Sequence, residues 1–158
     1  MKFERYDGNP ILKPNGNAWE DLCVLNPGVV INKKTGKVEM LYRAAGNDFE
    51  HYIRFGLADD GVHFNRVSDK PAMDVNAEYS DGGCIEDPRI VEIDGIYYIT
   101  YAGRPFAPGR YWIPEDYKKF KESREKWPES APWLLRNETV TFLACTKDFK
   151  NYKRLGRI

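Results

Sequence analysis

The feature that most constrains the fold of this chain is a pattern of short strands and turns that occurs twice. The segment Asn26–Val30 parallels Asp87–Val91 at a spacing of 61 residues, and Gly36–Tyr42 parallels Gly95–Tyr101 at a spacing of 59 residues. Repeated four-stranded units of this size are typical of the blades of a β-propeller. Two unrelated meanders of a β-sandwich are the alternative. The blades are favoured because the turns and the strand order recur together.

Each repeated unit is predicted to contain four strands, because runs rich in Val, Ile, Tyr and Thr alternate with turn signals. The predicted strands are Val29–Asn32, Val38–Ala44, Ile53–Ala58 and His63–Val67, followed by Arg89–Ile93, Ile96–Ala102, Thr139–Thr146 and Tyr152–Leu155. Pairs such as Asp94-Gly95 tolerate the positive φ that tight hairpins need. We therefore expect an all-β chain of about two antiparallel blades, at about 24–68 and 83–156, in one partial propeller domain that covers 1–158.

A polar, proline-rich stretch at about residues 104–138 interrupts the second unit between its second and third strands. Its middle is predicted to be helical, because Pro114 can occupy a first helical position and acidic residues follow it. Long loops in compact domains often serve as lids or binding loops. A solvent-exposed loop without a function is the alternative. We expect a long, partly helical insertion.

Composition argues against several classes of function. The 24 Lys and Arg residues balance the 24 Asp and Glu residues, which gives no support for a nucleic acid or an anionic membrane as partner. Cys23, Cys84 and Cys145 are too far apart for a zinc knuckle and are expected to be buried, reduced thiols. His51 and His63 have no second ligand at metal spacing, so no metal is expected. No signal-length or membrane-length apolar segment is present, which predicts a cytoplasmic protein.

The segment Glu86–Arg89 is the strongest candidate for chemistry, because it lies at the start of the innermost strand of its unit. Pro88 fixes its own φ and biases Asp87 towards extended backbone. Arg89 offers a planar guanidinium to a carboxylate, a phosphate or sugar hydroxyls. Glu86 is expected to point to the opposite strand face from Asp87, which argues against adjacent catalytic carboxylates. An Asp-Pro pair that serves only as a turn is the alternative.

Two residues of the first unit are further candidates. Asn26 occupies the place of Asp87, and its amide can bind sugar hydroxyls or cap its own turn. Arg43 ends a strand that should be largely buried. A buried arginine needs a partner, so we expect Arg43 to meet an acidic side chain or a ligand.

The order of these motifs resembles glycoside hydrolase family 130, which includes β-mannoside phosphorylases and β-1,2-mannosidases. The matching pieces are Gly8–Leu12, Leu25–Val30, Met40–Ala44, Gly83–Ile90 and Tyr98–Tyr101, with the turns at 58–64 and 144–152. The resemblance covers nearly the whole chain apart from about residues 105–137. It implies a five-bladed β-propeller, of which this chain would form the N-terminal half.

The resemblance also implies an activity. Members of the family invert configuration, and the matching aspartate, Asp87 here, is the proton donor that assists cleavage of a β-mannosidic linkage. Phosphate, or water in the hydrolases, attacks the anomeric carbon from the opposite face. Inorganic phosphate is thus an expected co-substrate, no cofactor is implied, and the expected ligand is a β-mannoside oligosaccharide. The candidate substrate-binding residues are Asn26, Arg43, Glu86, Arg89, Tyr101 and Arg104.

Two alternatives to an active enzyme follow from the length of the chain, since members of this family are longer. One is a carbohydrate-binding half-propeller without catalysis. The other is a fragment whose ring is completed by association, either as a homo-oligomer or with a missing C-terminal half. Exposed blade faces would form apolar patches that favour such a partner.

Overall fold

The computed structural model describes residues 2–46, 51–76, 78, 81–104 and 138–158. The first sheet contains β1 (Cys23–Ile31), β2 (Val38–Ala45), β3 (His51–Ala58) and β4 (Asn65–Arg66), and the second contains β5 (Cys84–Ile93), β6 (Ile96–Arg104), β7 (Val140–Thr146) and β8 (Tyr152–Arg157). Both sheets are antiparallel and follow chain order. For the described residues, the prediction of an all-β structure with two four-stranded sheets is confirmed. The predicted helix after Pro114 lies outside the described residues.

The two sheets repeat each other in register. In the first, Met40 pairs with Gly56 and Gly56 with Arg66; in the second, Ile99 pairs with Ala144 and Ala144 with Arg154. Met40 and Ile99 are 59 residues apart, which is the spacing of the sequence repeat. The repeat therefore reflects equivalent positions in the two sheets.

The first strand of each sheet, β1 or β5, begins earlier than predicted, because its pairing continues across a β-bulge at the X-Pro pair. The register of β1 against β2 shifts between Leu25 and Gly28. The register of β5 against β6 shifts between Glu86 and Arg89. A bulge adds one residue to one strand and bends it there, so the residues before each proline remain in the sheet.

The prediction that Pro88 holds Asp87 in extended backbone is wrong. Asp87 has a φ of 56°, and its equivalent Asn26 has a φ of 49°. The bulge requires this left-handed conformation, which asparagine and aspartate enter more readily than other residues that carry a side chain. Each bulge therefore turns one polar side chain out of the regular alternation of its strand.

The hairpin between β5 and β6 agrees with its prediction, whereas the fourth strand of the first sheet is shorter than predicted. Asp94 and Gly95 have φ values of 51° and 77°, as a tight hairpin turn requires. β4 contains only two residues, because Asp60 accepts the backbone N–H groups of Val62 and His63 and so turns the chain before it.

The main hydrophobic core lies between the two sheets. Leu41 and Ile53 of the first sheet pack with Ile99 of the second, and the rings of Phe55 and Phe149 stack with centroids 4.8 Å apart. β5 lies against β1, β2 and β3. The first strands of the two sheets, β1 and β5, are therefore neighbours.

β1 and β5 approach each other closely at their bulges. A Cβ atom on Gly28 would lie 2.6 Å from the carbonyl oxygen of Pro88, a distance that real Cβ contacts do not show. Glycine is needed here because two backbones meet. This approach places the segment around Asn26 beside the segment around Asp87.

A buried acidic residue before β1 connects its segment to the other strands of the first sheet. Glu20 is fully buried and accepts hydrogen bonds from the Tyr42 hydroxyl at 3.1 Å and from Nε of Arg66 at 2.5 Å. Arg54 also lies 3.3 Å from Glu20 and stacks its guanidinium over Trp19 at 3.8 Å. These contacts tie the segment before β1 to the second, third and fourth strands.

The second sheet contains the equivalent cluster, built from Asp81. This carboxylate follows Glu20 by 61 residues, is fully buried, and accepts hydrogen bonds from the Tyr101 hydroxyl at 2.7 Å and Nε of Arg154 at 3.1 Å. Burial, and then the Asp81 carboxylate, raise the pKa of Tyr101 above its ordinary value. A buried acid, a tyrosine and an arginine thus occupy equivalent positions in both sheets.

All three cysteines are free thiols in the structure. Cys84 is buried, as predicted, whereas Cys23 and Cys145 are only half-buried. Among the described residues, no helix is long and apolar enough to cross a membrane.

Candidate active site

The two bulges bring together the side chains that the sequence repeat made equivalent. Nδ2 of Asn26 donates a hydrogen bond of 2.7 Å to Oδ1 of Asp87. This contact joins β1 to β5, at the point where Gly28 meets Pro88. The site therefore depends on how the sheets pack on each other.

Arg43 supplies the third side chain of the cluster. It lies on β2, paired with Leu25, and its Nη1 is 3.3 Å from Oδ1 of Asp87 and 2.5 Å from Oε2 of Glu86. The expectation that Glu86 and Asp87 point to opposite faces is wrong, because both reach one guanidinium. The bulge after Glu86 breaks the alternation on which that expectation was based.

Glu86 is the buried acidic side chain of this cluster. Only 7 % of its side chain is exposed, and its Oε1 is 3.4 Å from Sγ of Cys84 and 3.5 Å from Nε of Arg104. Burial, and then the Glu86 charge, raise the pKa of the Cys84 thiol far above its ordinary value. This cysteine is therefore unsuited to act as a nucleophile.

Asp87 is the more exposed of the two carboxylates, with 38 % of its side chain accessible. Both described donors to Asp87 bind the same oxygen, Oδ1. Among the described residues, none donates a hydrogen bond to Oδ2. The described residues thus hold the carboxyl group through one of its two oxygens.

Acidic and basic side chains alternate in the part of the cluster that the structure describes. Glu86 and Asp87 are the acidic side chains, and Arg43 and Arg104 are the basic ones. Hydroxyl groups of a neutral ligand can exchange hydrogen bonds with such a set, and a carboxyl group at its edge can transfer a proton. The arrangement therefore suits a hydroxyl-rich ligand.

Two of the predicted substrate-binding residues are not brought into this cluster. Arg89 is exposed, and Nη1 of its guanidinium donates a hydrogen bond of 2.8 Å to the carbonyl oxygen of Pro88. Tyr101 is in the core, 1 % exposed, with its hydroxyl bound to Asp81. Tyr101 is three residues from Arg104, so the two side chains leave β6 on opposite faces.

The sequence argument did not include Cys84 in the site. Its position two residues before Glu86 on one strand was the available signal, because such residues share a face. The contact itself also depends on how far β5 extends before the bulge, which the motif did not reveal.

Comparison with known proteins identifies the family. The family model for glycoside hydrolase family 130, described as beta-1,4-mannooligosaccharide phosphorylase, matches residues 3–117. The chain belongs to glycoside hydrolase family 130. The matched region contains Asn26, Arg43 and the Glu86–Arg89 segment, so it includes the clustered side chains.

Two curated relatives come from Thermoanaerobacter sp. (strain X514). A 1,2-beta-oligomannan phosphorylase is 35 % identical over 113 residues, which cover 65 % of this chain and 36 % of the relative. A beta-1,2-mannobiose phosphorylase is 32 % identical over 127 residues, which cover 72 % of this chain and 40 % of the relative. The chain thus spans about two fifths of the length of these curated relatives.

Two solved structures support the fold. A glycosyl hydrolase from Bacteroides ovatus is similar with a TM-score of 0.70 at 22 % identity, over 99 % of this chain and 41 % of the other. The beta-1,2-mannobiose phosphorylase from Listeria innocua, solved in complex with beta-1,2-mannobiose, is similar with a TM-score of 0.60 at 18 % identity, over 98 % of this chain and 50 % of the other. At these identities the similarity concerns the fold.

Proposed function

We propose that this chain carries the general acid of an inverting β-mannoside phosphorylase or glycosidase, and that the acid is Asp87. The observation that carries the proposal is the geometry of Asp87, whose partly exposed carboxyl group is held through Oδ1 and receives no hydrogen bond at Oδ2 from the described residues. A general acid needs both a fixed direction and access to the substrate. The match to the family and the names of the curated relatives support a β-mannoside as substrate.

The neighbouring side chains suit the binding of a sugar. The exposed Asn26 and the half-buried Arg43 lie within hydrogen-bond distance of Asp87 and can bind hydroxyl groups of the mannosyl ring that it protonates. Arg104 has 31 % of its side chain exposed and can receive phosphate, the proposed co-substrate, with its guanidinium. The proposal needs no cofactor and places the enzyme in the cytoplasm.

The complete enzyme is proposed to be a five-bladed propeller to which this chain contributes two blades. The chain spans 36 % and 40 % of its two curated relatives, so further sheets would supply the rest of the ring. A second copy of the chain or a C-terminal half would provide them. The outer face of the second sheet includes the exposed side chains of Val91 and Ile93, which such a sheet would cover.

The proposal is tested by incubating the protein with β-1,2- or β-1,4-mannobiose, with and without inorganic phosphate. Release of mannose 1-phosphate that requires phosphate supports a phosphorylase, and release of mannose alone supports a hydrolase. Asp87→Asn is expected to lower turnover by roughly 10²- to 10⁴-fold while sugar binding is retained, because it removes only the proton that is transferred.

Asp94→Asn is the matched control, because it makes the same change in a hairpin turn where asparagine also accepts a positive φ. It is expected to retain wild-type turnover. Unchanged turnover in the Asp87→Asn protein would remove Asp87 from the mechanism.

A carbohydrate-binding protein without catalysis is the second candidate. It is favoured by the presence of Asn26, Arg43 and Asp87 in a chain that spans about two fifths of its relatives. Calorimetric binding of mannobiose with no product after long incubation would support this function and contradict the enzyme.

A further inference from the structure

We propose that Glu86 is a positioning residue that orients Asp87 through Arg43, so that the transferable proton of Asp87 resides on Oδ2. The proposal rests on the proposed role of Asp87 as general acid and adds the atom and the residue that fix its geometry. It assigns to Glu86 an indirect role in place of direct contact with the sugar.

Burial supports the indirect role. The side chain of Glu86 is 7 % exposed, against 38 % for Asp87, so Asp87 is the carboxylate that a ligand can reach. The contacts of Glu86 include Arg43 at 2.5 Å, Cys84 at 3.4 Å and Arg104 at 3.5 Å. An influence of Glu86 on Asp87 can therefore pass through Arg43, which contacts both carboxylates.

Arg43 connects the two carboxylates through a single nitrogen. Its Nη1 carries two hydrogen atoms and lies 2.5 Å from Oε2 of Glu86 and 3.3 Å from Oδ1 of Asp87. The short contact to the buried Glu86 fixes the plane of the guanidinium, since charge-assisted hydrogen bonds of this kind are strong and directional. The second hydrogen of Nη1 is then directed at Asp87.

The two oxygens of Asp87 consequently differ. Oδ1 accepts hydrogen bonds from Nδ2 of Asn26 and Nη1 of Arg43, and an oxygen that accepts two N–H donors has little room for a proton and is the carbonyl oxygen when the group is protonated. Oδ2 accepts no hydrogen bond from the described residues. The proton of the carboxylic acid is thus placed on Oδ2.

A buried ion pair with only a structural role makes different predictions. It would affect stability and would also restrict the guanidinium of Arg43, but its loss would not weaken sugar binding or lower turnover in the folded protein. A test must therefore measure sugar binding and turnover together with the guanidinium, and it must compare variants that remain folded.

The experiment compares Glu86→Gln with Glu92→Gln, which removes the same charge from the same strand at its contact with Lys33. The side-chain nitrogens of Arg43 are observed by ¹⁵N NMR and assigned with Arg43→Lys. The wild type and Glu92→Gln are expected to give separate Nη signals from a restricted guanidinium. Glu86→Gln is expected to average these signals and to weaken binding of β-1,2-mannobiose in calorimetry by roughly tenfold.

Glu86→Asp is the second variant, for use if Glu86→Gln does not fold, because it keeps the charge and withdraws the oxygens from Nη1. It is expected to broaden the Arg43 signals. It should also weaken the binding of β-1,2-mannobiose less than Glu86→Gln does. If a folded Glu86 variant keeps the wild-type Arg43 signals and affinity, the positioning role is wrong.

Failure of the proposed function gives another result. If the wild type binds no mannobiose while Glu86→Gln still averages the Arg43 signals, the guanidinium is positioned as proposed but the site does not bind this sugar. If mannobiose is bound and cleaved equally by Glu86→Gln and Glu92→Gln, the function stands and Glu86 does not position Asp87.

Discussion

At the scale of residues, two buried glutamates of the chain have contrasting surroundings. Glu86 meets Arg43 and Arg104, so its charge is compensated. Glu39 is 7 % exposed and accepts a hydrogen bond from Nδ2 of Asn32 at 2.9 Å, with one buried oxygen that accepts no hydrogen bond from the described residues. Burial raises the pKa of Glu39 above its ordinary value of 4.5. Its ionised form is therefore disfavoured in the folded protein.

Glu39→Gln is predicted to stabilise the protein at neutral pH. Because the pKa of Glu39 is raised on folding, the folded state retains the proton more strongly, and stability falls as the pH rises from about 4.5 through the folded value. The Glu39→Gln protein does not have this loss of stability, and its side-chain oxygen can still accept the hydrogen bond from Nδ2 of Asn32. Thermal melts should show a higher Tm for the variant at pH 7 to 8 and a difference that shrinks towards pH 4.

The matched control for Glu39→Gln is Glu92→Gln, because Glu92 has a pKa that is lowered by Lys33 and by the Gly95 N–H. Its removal should lower stability at neutral pH. A Glu39→Gln protein that is less stable than the wild type at pH 7 would contradict the account of Glu39.

The residues of the site were partly predictable from the sequence. The repeat identified Asn26 and Asp87 as equivalent, and Arg43 was expected to meet an acid or a ligand. The hydrogen bond between Asn26 and Asp87 was not foreseen, because it depends on two backbones in left-handed conformation and on the packing of two sheets. The burial of Tyr101 was also missed, since its partner Asp81 belongs to no recognised motif.

At the scale of elements, the two β-bulges control the geometry of the site. Each inserts one residue before a proline, and each turns the polar side chain of that residue towards the neighbouring sheet. The sequence predicted strands that start after the prolines, because proline interrupts the periodic pattern. Bulges continue the pairing past this interruption, and the alternation of side chains alone does not reveal them.

Gly28→Ala is predicted to destabilise the protein and to disturb the site. The new Cβ would lie 2.6 Å from the Pro88 carbonyl oxygen, so β1 and β5 must separate. The cost is expected to be about 1–3 kcal/mol, as for other insertions into packed regions. Urea denaturation measures this loss, and the Nδ2 signals of Asn26 should shift as its bond to Asp87 lengthens.

Gly56→Ala provides the control, because this strand glycine has its nearest atom at an ordinary 3.5 Å, on the flexible side chain of Met40. It should change the free energy of unfolding by less than about 1 kcal/mol. Equal losses for the two variants would mean that the contact at Pro88 is not a special constraint.

At the scale of the whole molecule, the site lies where two sheets meet. The hydrophobic core is shared between the sheets, and the same acid, tyrosine and arginine positions fasten each of them. The sequence predicted the number of strands and the repeat, since both follow from local patterns. It did not predict which faces pack together, because contacts between sheets join residues far apart in the chain.

The most direct test of the central claim is a crystal structure of the Asp87→Asn protein with β-1,2-mannobiose. The account predicts a mannosyl ring in contact with Asn26 and Arg43. It also predicts that the side-chain atom that replaces Oδ2 of Asp87 lies within about 3.5 Å of a sugar oxygen. A sugar bound away from this cluster, or one that approaches residue 87 only from the Oδ1 side, would contradict the account.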